Sequence, residues 1–235
     1  MARAASSTKP PTLPVLIEKG PKGKRLVAVA AHWPGLERNG KTEDEAVAKL
    51  ESYLPRYAVV ADRAGLGKEF EALTKPKIVD RYTGTGSTDF WGISFAPSPL
   101  DREPHDAATF DRQVALLEAV WAEFDATTTR VTGDLRPGPR GGGRERDHVI
   151  RHVLANEGQE FAKRVKVPAE LEELETPKGL QAHRTRFVDA MRAWYAEGKP
   201  LGNWTVPYLL RHTAYHALDH AWEMQDRDQS AEPAA

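Results

Sequence analysis

The sequence of 235 residues contains no cysteine. That absence excludes disulfide bonds, thiolate metal sites and a cysteine nucleophile, and leaves histidines and carboxylates as the candidate metal ligands. No apolar run reaches the roughly 18–20 residues of a transmembrane helix, and the polar, proline-rich start lacks the pattern of a secretory signal. The net charge of -1 gives no overall attraction to nucleic acid or to an anionic membrane. We therefore expect a soluble, cytoplasmic protein without a nucleic-acid or membrane partner.

Apolar residues are frequent enough for a packed core. Hydrophobic residues make up 40% of the chain and charged residues 29%, which excludes a disordered chain. In the first part, Thr42 lies three residues before Glu45, the spacing of a capping box that opens a helix. Around this helix, β-rich runs separated by turn residues predict strands over residues 15–20, 25–33, 77–82 and 89–95.

The pattern changes after the proline-rich segment 97–104. Beyond it, apolar residues recur at three- and four-residue steps, which is typical of amphipathic helices. Four such helices with short connections predict a four-helix bundle, and a change of period of this kind indicates two separate cores. We expect an α+β fold, with a disordered leader over 1–12, a small α/β domain over 13–98, the helical bundle over 99–228 and a disordered tail over 229–235.

Five of the eight histidines lie on the second and fourth predicted helices, which run over about 145–165 and 205–227. Each is four residues from a neighbour: His148, His152, His212, His216 and His220. Side chains at this spacing share a helical face, so two imidazoles can reach one metal ion. A third from a facing helix would complete a site with an open coordination position, as catalytic zinc requires.

A helical wheel separates these histidines. On the fourth helix, His216 and His220 face the buried stripe, whereas His212 faces away. Trp222 points away from the histidines and is expected at an interface between the two parts of the chain. On the second helix both histidines fall outside the apolar stripe, and Glu157 falls in its middle, where an unpaired carboxylate is costly to bury. A metal ion or an arginine partner would relieve that cost. Periodicity therefore nominates His216, His220 and Glu157, and leaves His152 undecided.

Two segments together resemble the DinB superfamily, which includes the mycothiol-dependent maleylpyruvate isomerases and the bacillithiol transferases. They are HVLANE at 152–157 and LRHTAYHALDHAWEMQDR at 210–227. The resemblance covers roughly residues 100–228, and it implies a four-helix bundle of up-up-down-down topology. It also implies a divalent metal ion, zinc or nickel, held by His152, His216 and His220.

Two features leave the ligand set open to an alternative. After the last ligand the family commonly has Arg-Gly-Gln, whereas this chain has Ala221, Trp222 and Glu223. The additional His212 permits a shifted pair of His212 and His216, although the wheel and the position of the family's closing tripeptide favour the later pair.

The resemblance implies a metal-dependent transferase or isomerase that activates an external low-molecular-weight thiol, or a water. The Ala-, Arg-, Gly- and Pro-rich composition is typical of a high-GC bacterium, in which mycothiol is the natural candidate thiol. We expect a small-molecule substrate and take Glu157 as the candidate catalytic residue, buried beside a ligating imidazole or in the pocket. Glu223 is the next candidate, and Asp219 is expected to be more exposed. The alternative is a non-catalytic metal-binding or stress-response module, and the oligomeric state stays open, a dimer included.

The first part of the chain is similar to the HicB antitoxin-like pattern, in which Pro-Gly ends a strand and Gly-x-Thr-x-x-Glu-Ala opens a helix. The match is WPGLERNGKTEDEAV at 33–47, within a resemblance over about 13–62. It implies a small sheet packed on one or two helices. Any strand followed by a turn and a capped helix needs the same residues, and no DNA-binding segment accompanies them, so an antitoxin role does not follow.

Overall fold

The computed structural model of the chain describes residues 11–131, 135–137 and 145–229. Residues 1–10 and 230–235, which make up most of the predicted leader and tail, lie outside this part. The fold is α+β. The strands are β1 (Thr12–Lys19), β2 (Leu26–Val29), β3 (Glu37–Gly40) and β4 (Thr74–Thr83). The helices are α1 (Glu43–Ser52), α2 (Leu54–Arg63), α3 (Gly67–Glu71), α4 (Gly86–Trp91), α5 (Ala107–Arg130), α6 (Arg146–Asn156), α7 (Leu171–Leu174), α8 (Pro177–Ala196) and α9 (Val206–Arg227).

The four strands form one mixed sheet in the order β3-β2-β1-β4. β2 pairs antiparallel with both neighbours, and β4 pairs parallel with β1. The parallel pair requires a crossover, which α1, α2 and α3 provide. β1 begins inside the segment predicted as a leader, because the Pro11 carbonyl accepts a hydrogen bond from the Thr74 N–H (2.8 Å).

The predicted strand over 89–95 is wrong, since α4 occupies its first part. The Thr85 hydroxyl accepts from the Ser87 N–H (3.2 Å), and the Thr88 hydroxyl accepts from the Thr85 N–H (2.9 Å). This reciprocal cap favours a helix at that point. Gly92 ends the helix with a φ of 70°, which glycine adopts without steric cost.

The sequence does not predict β3, because its residues are polar. Glu37 and Arg38 are nevertheless buried. Glu37 forms an ion pair with Arg211 of α9, whose guanidinium also binds the Asp101 carboxylate (2.7 and 3.1 Å). Charge pairing with a distant helix, and not local hydrophobicity, therefore holds this strand in the interior.

The expectation of two separate cores is also wrong. Buried apolar residues from both parts belong to one contiguous cluster, which includes Trp33 and Tyr57 from the first part and Phe124 and Leu210 from the second. Trp222 of α9 lies at this junction, as predicted, with its ring centroid 5.0 Å from that of Tyr53. The boundary near residues 97–105 is a change of secondary structure, and the division into domains at 13–98 and 99–228 stays a prediction.

α9 is the central helix of the second part, where it contacts α5, α6 and α8. The predicted helix over 145–165 is interrupted. α6 ends at Asn156 and is followed by a π-helical turn, Glu157–Phe161, and a 3-10 turn, Ala162–Val165. Along the described residues, no helix is both long and apolar enough to cross a membrane.

Candidate metal centre

Two helices supply the three histidines of the candidate metal centre. α9 begins where the Thr205 hydroxyl accepts from the Tyr208 N–H (3.2 Å), with Pro207 in its first turn. His216 and His220 lie one turn apart on this helix, and His152 lies on α6, which packs against it. All three side chains are partly exposed. The centre is therefore accessible at a helix–helix contact and is not enclosed in the core.

The three imidazoles are close enough to share one ion. Each offers a nitrogen within 4.8 Å of the nitrogens of the other two, and the ring centroids lie 4.8–5.1 Å apart. The Nε2 atoms of His152 and His216 are 3.3 Å apart. Two ligands of one tetrahedral zinc ion lie about 3.4 Å apart at zinc–nitrogen bonds of roughly 2.0–2.1 Å. This pair already has the spacing of two ligands in a tetrahedral site.

Glu223 orients the His220 ring. Its carboxylate lies 2.8 Å from Nδ1 of His220 and also forms an ion pair with Arg227. The hydrogen bond from His220 holds the pKa of Glu223 down to about 2. A ligating imidazole usually donates its second N–H to a carboxylate in this way, so Nε2 of His220 is the nitrogen left for a metal ion. The Asp219 side chain is more exposed than that of Glu223, as expected (44% against 33%), and its ion-pair partner is Arg38.

His152 lies at the contact between α6 and α9, although the helical wheel leaves it undecided. A π-helical turn contains an additional residue, so residues beyond Asn156 are rotated relative to a regular helix. Phe161 reaches the histidines for this reason, with its ring 5.4 Å from that of His216. The side-chain amide nitrogen of Asn156 lies 3.3 Å from Nδ1 of His152 and donates to the main-chain carbonyl oxygen of His152 (2.8 Å). The resemblance nominated His152, and the geometry places it with His216 and His220.

The predicted outward orientation of His212 is wrong. Its side chain is only 4% exposed and packs among aromatic rings, with Phe95, Phe161 and Trp204 at centroid distances of 5.2–5.5 Å. Burial lowers its pKa to about 3. The wheel assumes one exposed face, but the first turns of α9 are buried on all sides. Among the described residues, the group positioned to bind a metal ion is His152, His216 and His220, and the shifted pair with His212 is not part of it.

Glu157 is buried, as predicted, but its bonded partner is a cation. Arg184 of α8 donates to both of its oxygens (3.0 and 3.4 Å) and also to Asp125 (2.7 Å). Burial raises the pKa of Glu157, and the Arg184 guanidinium opposes that rise. The role of Glu157 as a catalytic residue stays a prediction. Arg184 falls on the stripe defined by Leu180 and Phe187, and that placement is the sequence signal that could have identified the pair.

His183 and a large cavity lie on the same side of α6 as this ion pair. The His183 ring is fully buried, 4.0 Å from Glu157, and burial lowers its pKa to about 4. The cavity, of about 1200 Å³, lies between α5, α6, α7 and α8 and includes Arg184 and Asp125 in its wall. None of the three clustered histidines lines it. This cavity and the candidate metal centre are therefore separate features.

The donor set fits a borderline or soft divalent ion. Three neutral imidazoles suit zinc or nickel, and three protein ligands leave a position for an exogenous group. Comparisons of the chain with protein-family models, with curated proteins and with solved structures find no match. The interpretation of the site consequently depends on its geometry and on the chemistry of its side chains.

Proposed function

We infer that the chain is a divalent-metal-dependent enzyme of the DinB-like superfamily, a thiol-cofactor-dependent transferase or isomerase that acts on a small molecule. The observation that carries this proposal is the accessible group of three imidazoles, His152, His216 and His220. The proposal includes the up-up-down-down four-helix bundle for residues 99–228 and the HicB-like domain for residues 13–98.

The side chains around the site have separate tasks in this proposal. His152, His216 and His220 would hold the ion, and Glu223 fixes the orientation of His220 through its 2.8 Å contact with Nδ1. A divalent ion, when bound, lowers the pKa of a thiol or water and stabilises its anion. Phe161 covers one side of the His216 ring, which limits access of bulk water from that side and strengthens local electrostatics.

The absence of cysteine provides a direct test of the thiol. We would replace the metal with cobalt(II), which takes the same donors as zinc, and record the visible spectrum while adding mycothiol, bacillithiol or coenzyme A. Because the chain contains no cysteine, a sulfur-to-cobalt charge-transfer band can come only from the added thiol. We expect such a band with at least one thiol and its loss in His216→Ala. Cobalt bound without a band for any of these thiols would contradict the thiol-dependent reaction.

One observation favours a second candidate, a non-catalytic metal-binding module. The cavity of about 1200 Å³ between α5, α6, α7 and α8 is not lined by the three histidines, whereas substrate pockets usually contain the reactive group. A module of this kind predicts a cobalt spectrum that no added thiol, carboxylate or azide changes. A spectrum that responds to one of these small ligands favours the enzyme.

A further inference from the structure

Two adjacent aromatic side chains are exposed at the end of α4, and neither belongs to the candidate metal centre. Phe90 is 68% exposed and Trp91 is 58% exposed. Their ring centroids lie 4.5 Å apart with an interplanar angle of 83°. Large aromatic residues are normally buried, and contiguous exposed apolar surface indicates an interaction site.

Hydrogen bonds fix the helix that carries the aromatic pair. The Asp89 carboxylate accepts hydrogen bonds from the main-chain N–H groups of Lys22 (2.7 Å), Lys24 (2.7 Å) and Arg25 (3.3 Å). Directly after α4, the Gly92 carbonyl accepts from the Asn39 side chain of β3 (2.8 Å). Hydrogen bonds to the β1–β2 turn and to β3 therefore fix the C-terminal half of α4, from which the rings project, and their exposure is not that of a frayed terminus.

The same hydrogen bonds bring positive charge to the aromatic pair. The turn between β1 and β2 carries the exposed Lys22 and Lys24, and exposed Lys19 ends β1. Asp89 directs its oxygens to main-chain N–H groups of this turn. We call these three lysines with Phe90 and Trp91 the basic–aromatic surface. The three lysines outnumber the Asp89 carboxylate beside them, so this surface favours an anionic partner.

We propose that the basic–aromatic surface docks the protein on an anionic lipid bilayer. Tryptophan and phenylalanine partition to the membrane interface, and each nearby lysine adds attraction to anionic headgroups. The net charge of -1 does not oppose this, because exposed charges beyond about 10 Å are screened at physiological salt. The nearly perpendicular rings cover one aromatic face with the edge of the other, so they do not offer parallel faces to successive bases. This geometry favours a membrane over single-stranded nucleic acid.

The test is co-sedimentation of the full chain with phosphatidylcholine vesicles, with and without phosphatidylserine. We expect binding only with phosphatidylserine and weaker binding at high salt. Phe90→Ala with Trp91→Ala should lower the affinity by about tenfold or more. Lys22→Gln with Lys24→Gln should lower it by roughly 30-fold, from about 1 kcal/mol for each lysine. Circular dichroism and metal content should stay at their wild-type values in all variants.

Matched controls remove similar residues elsewhere on the surface. Val59→Ala removes another exposed apolar side chain, and Lys68→Gln with Lys178→Gln removes two exposed lysines. These variants should bind vesicles like the wild type, and equal losses in them would overturn the proposal. Three further outcomes would also overturn it: no vesicle binding at either composition, binding of an oligothymidylate instead of vesicles, or self-association through Phe90 and Trp91 without vesicle binding.

Discussion

Replacing Glu223 by glutamine should weaken metal binding by about 10–100-fold without changing the fold. The carboxylate fixes the orientation and tautomer of His220, and loss of such a partner typically costs this factor in metal affinity. The side chain is one-third exposed, so the substitution exposes no core and should leave the unfolding midpoint close to that of the wild type.

The magnitude can be worked from the 2.8 Å contact between His220 and Glu223. A hydrogen bond to a charged group contributes about 1.5–3 kcal/mol, and one between neutral groups about 0.5–1.5 kcal/mol. Changing the carboxylate to an amide therefore removes on the order of 1–2 kcal/mol, which corresponds to roughly 5–30-fold in affinity. The loss of negative charge beside a divalent cation increases the expected loss of affinity. The substitution also removes the carboxylate that forms an ion pair with Arg227.

The assay is competition for zinc between the protein and a chromophoric chelator at constant pH. The matched control is Asp219→Asn, which neutralises a carboxylate on the same helix whose ion-pair partner is Arg38 (3.1 Å). We expect wild-type affinity in the control. If Glu223→Gln binds zinc as tightly as the wild type, or if Asp219→Asn loses as much, the role assigned to Glu223 is wrong.

Two further predictions concern stability. Burial lowers the pKa of His212 to about 3 and that of His183 to about 4, whereas unfolded histidine titrates near ~6.5. Below that pH the unfolded chain binds more protons than the folded chain. The free energy of unfolding therefore has its full value above pH ~6.5 and falls toward pH 4, by up to about 1.4 kcal/mol per pH unit for each ring. Urea unfolding across this range measures the fall. Arg211→Met should cost roughly 3–5 kcal/mol in the same assay, since it leaves Glu37 and Asp101 buried without their cation.

Each stability prediction has a surface control. His148 is exposed, so His148→Gln should keep the wild-type dependence of stability on pH, while His212→Gln should reduce it. Arg192→Met breaks an exposed ion pair with Asp111 and should cost at most about 1 kcal/mol. A loss for Arg192→Met equal to that for Arg211→Met would show that burial does not set the cost.

The elements with strong periodicity could be predicted from the sequence, and the ones held by distant contacts could not. Alternating and apolar residues identify β1 and β2, and three- and four-residue steps identify α5, α8 and α9. β3 is a polar segment that Arg211 stabilises from 174 residues away, and no local pattern reports such a partner. α4 was mistaken for a strand because its aromatic residues favour strands, while its cap favours a helix.

Some residues of the candidate metal centre could likewise be predicted from the sequence, and others could not. The wheel identifies His216 and His220 because that part of α9 has a regular period and one open face. It fails for His212, since segments distant in sequence cover the outer face of the helix. It leaves His152 undecided because that side chain lies outside the apolar stripe of α6 and is only partly buried, at the contact with α9. Only the family resemblance nominates His152 from the sequence.

The most direct test of the central claim is the metal content of the full chain after dialysis against zinc, measured by elemental analysis. We predict one equivalent per chain in the wild type and in His148→Ala. We predict none in His152→Ala or in the double variant His216→Ala, His220→Ala, with helical content unchanged by circular dichroism. A full equivalent of zinc in that double variant would contradict the three-histidine centre.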